Sequence, residues 1–138
     1  MICDLCPRRC GALRTEERGL GRCRMPELPV LARAALHRWE EPPISGARGS
    51  GTVFFSGCTL RCVFCQNREI SAGGFGQAIS VERLREVFRE LEAAGASNIN
   101  LVSPTQFAPW IALALEEVPG IPVVWNTGGY ERVETLRL

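Results

Sequence analysis

Gly57-Cys58-Thr59-Leu60-Arg61-Cys62-Val63-Phe64-Cys65 sets three thiols in a C-x3-C-x2-C spacing directly after the apolar run Thr52-Val53-Phe54-Phe55. An iron–sulfur cube has four iron corners, so three cysteine ligands leave one iron free to bind a small molecule. That open corner implies chemistry rather than electron storage. The alternative is a closed zinc or iron site with a fourth ligand from elsewhere, for which His37, the chain's one histidine, is the candidate imidazole. A second group, Cys3-x2-Cys6-x3-Cys10-x12-Cys23, lies around Pro7-Arg8-Arg9 and Gly19-Leu20-Gly21. Four thiolates are a complete tetrahedral set for zinc or an iron–sulfur centre, suited to structure or electron relay. Spacing does not separate zinc from iron there, and buried inert thiols are the alternative reading. The two groups account for all seven cysteines.

The rest of the composition narrows the function classes. A chain of 138 residues, 46% hydrophobic, with a net charge of +1, suits one soluble globular domain with a small core. Its sixteen basic and fifteen acidic residues are scattered, so no electrostatic footprint for nucleic acid or an anionic membrane is visible. No apolar stretch approaches the roughly 20 residues of a membrane helix, and the start Met1-Ile2-Cys3-Asp4-Leu5-Cys6 carries no export signal. Grouped thiols survive best in reducing surroundings, so the expected location is the cytoplasm. Arg8, Arg9, Arg22 and Arg24 flank the four-cysteine group; they suit an acidic electron donor, although a solvated surface is the plainer reading.

The elements that must position the triplet follow from periodicity. Residues 1–27 read as a cysteine-rich extension without regular period, wrapped around a metal rather than an apolar core. Residues 28–36 suggest a strand interrupted early by Pro29, followed by a proline- and glycine-rich loop. From residue 51 onward the pattern is βαβαβ: apolar runs at 52–55, 98–102 and 121–125, and helices at 80–94 and 109–118. Ser80 is the expected N-cap of the first helix, with Val81, Leu84, Val87, Phe88 and Leu91 on one face and Gly95 past its end. Pro109 marks the first turn of the second helix, and Pro122 fits a strand start. Trp110, Trp125 and His37 read as packed residues. A third helix is expected after Gly128-Gly129, with Val133, Leu136 and Arg137 on one side. Three parallel strands would leave an edge open for pairing. The expected fold is therefore α/β: the amino-terminal half (28–138) of a partial βα barrel, preceded by the 1–27 extension.

The triplet, with Phe64 just before its last cysteine, resembles the signature of the radical SAM enzymes. Stretches from Trp39-Glu40-Glu41-Pro42 to Cys58, Asn98-Ile99-Asn100-Leu101-Val102 and Tyr130-Glu131-Arg132-Val133-Glu134-Thr135 resemble an uncharacterised branch related to the pyruvate formate-lyase activating enzymes. The resemblance implies a [4Fe–4S] cluster on Cys58, Cys62 and Cys65, with the amino and carboxylate groups of S-adenosylmethionine on the fourth iron. It further implies reductive cleavage to methionine and a 5′-deoxyadenosyl radical. The electron would come from a donor such as a flavodoxin or ferredoxin, and the substrate would be a partner protein such as a glycyl radical enzyme. In βα barrels functional groups gather at the carboxyl ends of strands. By that rule Ser103 and Thr105 would lie near the amino acid part of the cofactor, Asn126 and Thr127 near its carboxylate or ribose, and Phe64 beside its adenine. Many relatives carry Gly-Gly-Glu after the second strand, where this chain has Ser103-Pro104-Thr105. Two other classes fit the same cysteines: a non-catalytic iron–sulfur electron carrier and a zinc-stapled binding module.

Overall fold

The computed structural model describes residues 1–117 and 119–138. A two-residue ladder, β1 (Ile2–Cys3) with β2 (Ala12–Leu13), is the regular structure of the amino-terminal segment. β3 (Val30–His37) then leads through a single turn, α1 (Pro42–Ser45), into β4 (Ser50–Phe55). α2 (Arg68–Ser71), β5 (Gln77–Ala78) and α3 (Val81–Ala93) follow. Then come β6 (Ile99–Val102), a 3-10 turn (Thr105–Phe107) continuing into α4 (Ala108–Ala114), β7 (Val123–Asn126) and α5 (Val133–Leu136).

The main sheet has five strands in the order β5-β3-β4-β6-β7. β4, β6 and β7 are parallel, as the βαβαβ pattern predicts, with Val53 opposite Leu101 and Leu101 opposite Trp125. The sheet is nevertheless mixed rather than three-stranded, because β3 runs antiparallel along β4 and β5 antiparallel along β3. Those two strands cover the β4 edge; among the described residues β7 pairs with β6 alone.

α3 forms as expected. The Ser80 hydroxyl accepts the Arg83 N–H, Leu84, Val87, Phe88 and Leu91 are buried, and Gly95 takes a φ of +87° beyond the last turn. This face packs on Val53, Phe55, Ile99 and Leu101, with Phe107 and Ile111 completing the core. Burying such side chains contributes about 1.5–3 kcal/mol each. Pro122 stands just before β7, where its carbonyl accepts the Ile99 N–H. Trp110 and Trp125 are half-buried against the core.

Three expectations need correction. α4 ends at Ala114, where the Leu115 N–H turns back to Ile111 and Ala112; the expected end at residue 118 lies outside the described residues. The third helix is a single turn whose buried residue is Thr135, while Val133, Leu136 and Arg137 are exposed. The β4–β6 sheet is apolar only toward α3 and α4. Its other face carries buried Ser50, Thr52, Asn98 and Asn100, held partly by hydrogen bonds from Asn98 to the Ile44 carbonyl (2.6 Å) and from Asn100 to Glu40 (3.4 Å).

Candidate metal and cofactor site

The cysteine triplet is the loop that leaves the carboxyl end of β4. Two backbone bonds close its base: Gly57 N–H to Ile70 O at 3.1 Å and Cys58 N–H to Ser71 O at 2.8 Å, so α2 fixes where the loop begins. Inside it, Cys65 N–H reaches Cys62 O at 3.2 Å. Arg61, just before Cys62, takes a left-handed φ of +56°, at a cost of about 1–2 kcal/mol for a side-chain-bearing residue. Its guanidinium holds that bend by donating to Ala72 O (2.9 Å) and Arg22 O (3.2 Å). The Cys58 sulfur accepts the Leu60 N–H at 3.4 Å, and Cys65 accepts the Ser71 hydroxyl at 3.3 Å. All three thiols are half-buried.

Beside Cys58 the carboxyl ends of three parallel strands converge on one narrow cleft. Its lining includes Leu60, Ser103 and Thr105 after β6, and Thr127 and Gly128 after β7, with Tyr130 and Glu131 closing the far side. Ser103 is also left-handed, at φ +55°, and its N–H donates to Asn126 O. The buried Gln106 amide spans Ser56 O (2.8 Å) and Ser103 O (2.7 Å), tying the loops after β4 and β6 together. At Gly128 a side chain would press on the end of the Leu60 side chain, which would have to shift. The cleft holds about 10 Å³, room for about one water. Asn126 contributes its backbone without lining the cleft, and Phe64 stands at the outer rim of the loop, 86% exposed beside exposed Val63.

His37 is at the wrong end of the sheet to complete the triplet. It pairs with Ser50, the first residue of β4, whereas the triplet follows the last; at about 3.3 Å per residue the strand separates them by roughly 16 Å.

The four amino-terminal cysteines line a single cavity of about 20 Å³, together with Leu5, Arg8, Arg22, Thr59 and Gln106. Thr59 and Gln106 also line the cleft, so they form the wall between the two sites. Burial, above all, pushes the Cys6 and Cys23 thiols up from their usual range, against the opposing pull of N–H donors from Arg8 and Met25 respectively. Among the described residues no three Cys, His, Asp or Glu side chains already stand as a closed metal-ligand set. For both groups the fit therefore rests on thiol chemistry and shared placement.

Sequence reasoning missed Arg14. It is 1% exposed, lies between the rings of Phe107 (5.2 Å) and Trp110 (5.3 Å), and donates to Pro26 O and Gln106 O. Nothing local distinguishes it from the chain's other arginines; Gln106 and the two rings it meets come from more than 90 residues away. Arg8, read as solvated, is exposed, and it also donates to Thr59 O at 2.7 Å and lies over Tyr130.

Comparison with known proteins adds two findings. The family model described as the radical SAM superfamily matches residues 52–138. The chain is also 33% identical, over 146 aligned positions, to an uncharacterized protein of Methanocaldococcus jannaschii; the match covers 99% of this chain and 41% of that relative. No solved structure matches the chain significantly.

Proposed function

Because the chain belongs to the radical SAM superfamily, we propose that Cys58, Cys62 and Cys65 hold a [4Fe–4S] cluster and that S-adenosylmethionine binds at its fourth iron. Membership in the family implies both cofactors and an enzyme. When bound, the pair supplies one-electron cleavage of a carbon–sulfur bond, giving methionine and a 5′-deoxyadenosyl radical that takes hydrogen from a substrate. The observation that carries the proposal is the cleft joining Cys58 to Ser103, Thr105, Thr127 and Gly128. It puts hydroxyl donors and a side-chain-free backbone next to the cysteine loop, where an amino acid moiety would be oriented.

In this reading Ser103 and Thr105 orient the amino acid end of the cofactor, and Asn126 and Thr127 its carboxylate or ribose. Phe64 and Val63, apolar and exposed, supply a face for the adenine to cover. The cleft must widen to admit the cofactor, and the loop after β7 is the element free to do so. Thr127, Gly128 and Gly129 there are exposed, and among the described residues the Thr127 hydroxyl bonds within that loop, to Glu131 and the Gly129 N–H.

The same proposal keeps the division into an extension, 1–27, and a half barrel, 28–138. The start of β3 at Val30 and its pairing with β4 support that boundary. The edge of β7, unpaired among the described residues, with an apolar cavity of about 530 Å³ beside it lined by Ile111, Leu115, Trp125 and Leu136, supports further βα units in a longer protein. The chain spans less than half the length of the relative it matches. The electron is proposed to come from a flavodoxin or ferredoxin drawn to exposed Arg9, Arg22 and Arg24. The substrate is proposed to be a partner protein, as the resemblance to activating enzymes suggests. A cytoplasmic setting accords with the grouped thiols; among the described residues no helix is long and apolar enough to cross a membrane.

Electron paramagnetic resonance of the anaerobically reconstituted, reduced chain tests the open iron. The proposal expects a cluster signal that changes when S-adenosylmethionine is added. A signal indifferent to it would indicate an electron carrier, and zinc without sulfide a stapled binding module.

A further inference from the structure

The amino-terminal cavity has three features that the proposed catalysis does not use. Four thiols, Cys3, Cys6, Cys10 and Cys23, line one small cavity, the complete tetrahedral donor set of a single metal ion. The turns that present two of them are bent in the same way. Arg9 N–H closes on Cys6 O and Arg24 N–H on Gly21 O, each at 3.0 Å, with Arg9 (φ +41°) and Arg24 (φ +61°) both left-handed although neither is glycine. Such strain persists where the surroundings over-determine it.

The third feature is charge. Arg14 is buried between aromatic rings with its donors spent on carbonyls, and no carboxylate among the described residues lies within ion-pair distance of it. The Cys3 sulfur, a potential anion, lies 3.9 Å from Nη1. A buried cation without a partner is strongly disfavoured, whereas four thiolates around a divalent ion carry a net charge of minus two. Each defect is the other's remedy.

We infer that Cys3, Cys6, Cys10 and Cys23 bind one zinc ion as a tetrathiolate, with Arg14 as its buried countercharge. Zinc is chosen over ferrous iron because the same thiolate set binds it more tightly. Through Arg14 the centre reaches Gln106 O at 2.5 Å, and the Gln106 side chain holds the loops after β4 and β6. The ion thus positions the back wall of the cleft and carries no electrons.

Metal and sulfide analysis of the whole chain, purified anaerobically and reconstituted with iron and sulfide, tests this separately from the catalytic proposal. The expected content is one zinc together with one four-iron cluster. Zinc without iron would leave this inference standing while the catalytic reading fell; two clusters and no zinc would overturn it. Cys10→Ser, at an exposed position, should lose the zinc while keeping the cluster signal; zinc retained at full stoichiometry would also overturn the assignment. Cobalt substitution should give the visible bands of tetrahedral thiolate coordination, absent in Cys10→Ser. Arg14→Met should weaken zinc retention against a chelator by about 10–100-fold, and unchanged retention would remove Arg14 from the proposal. The wild-type metal count decides the site whether or not that variant folds.

Discussion

A methyl group added at Gly57 would stand 2.2 Å from Met25 Cγ, at a φ of +76°. Met25 is itself buried in the core, so the clash cannot be relieved without repacking where the extension meets the sheet. Gly57→Ala is expected to cost about 2–4 kcal/mol, the left-handed penalty and the overpacking together, and to displace the triplet loop. Gly95→Ala is the control: φ is +87° there, but nothing lies within 4 Å, so only about 1–2 kcal/mol is expected. Urea unfolding of both variants measures the difference, and equal losses would show that Met25 yields freely. The proposed ligand cysteines stand out in the sequence because metal ligation would fix both residue type and spacing. Arg14 does not, since its aromatic sandwich with Phe107 and Trp110 exists only after distant segments meet.

Elements whose stability is locally encoded were the readable ones. α3 carries its cap, its apolar face and its terminating glycine within one stretch of sequence, and it forms within a residue of the expected limits. Ser80→Ala should cost about 1 kcal/mol by urea unfolding and Ser80→Gly only a few tenths; equal losses would mean that the cap hydroxyl is not what anchors the helix. β5 was invisible because Gln77–Ala78 is short, exposed and without apolar period; it forms only because β3 offers an edge. β3 was legible as a strand but not as an antiparallel partner of β4, since pairing direction is decided by how the loop containing Pro42 and Pro43 folds back. α5 misled because its apolar spacing suggested a packed helix, whereas tertiary contact buries Thr135 instead.

Across the whole molecule, the extension is bolted to the last turn as well as to the sheet. The buried Thr135 hydroxyl donates to Leu5 O at 2.7 Å, and Arg132 donates to Asp4 at 2.5 Å. Thr135→Val keeps the shape and orphans the Leu5 carbonyl, with an expected loss of about 1–3 kcal/mol by urea unfolding; a neutral result would mean that water replaces the hydroxyl. These contacts bring the four-cysteine cavity, the triplet loop and the cleft within one shell, separated by Thr59 and Gln106. No periodicity in the sequence announces that arrangement, although every cysteine in it does. The most direct test of the central claim is production of 5′-deoxyadenosine from S-adenosylmethionine by the anaerobically reconstituted chain on adding a low-potential reductant. The account predicts formation by the wild type and none by Cys62→Ala; formation undiminished in Cys62→Ala, or none by a wild type holding its full cluster, would contradict it.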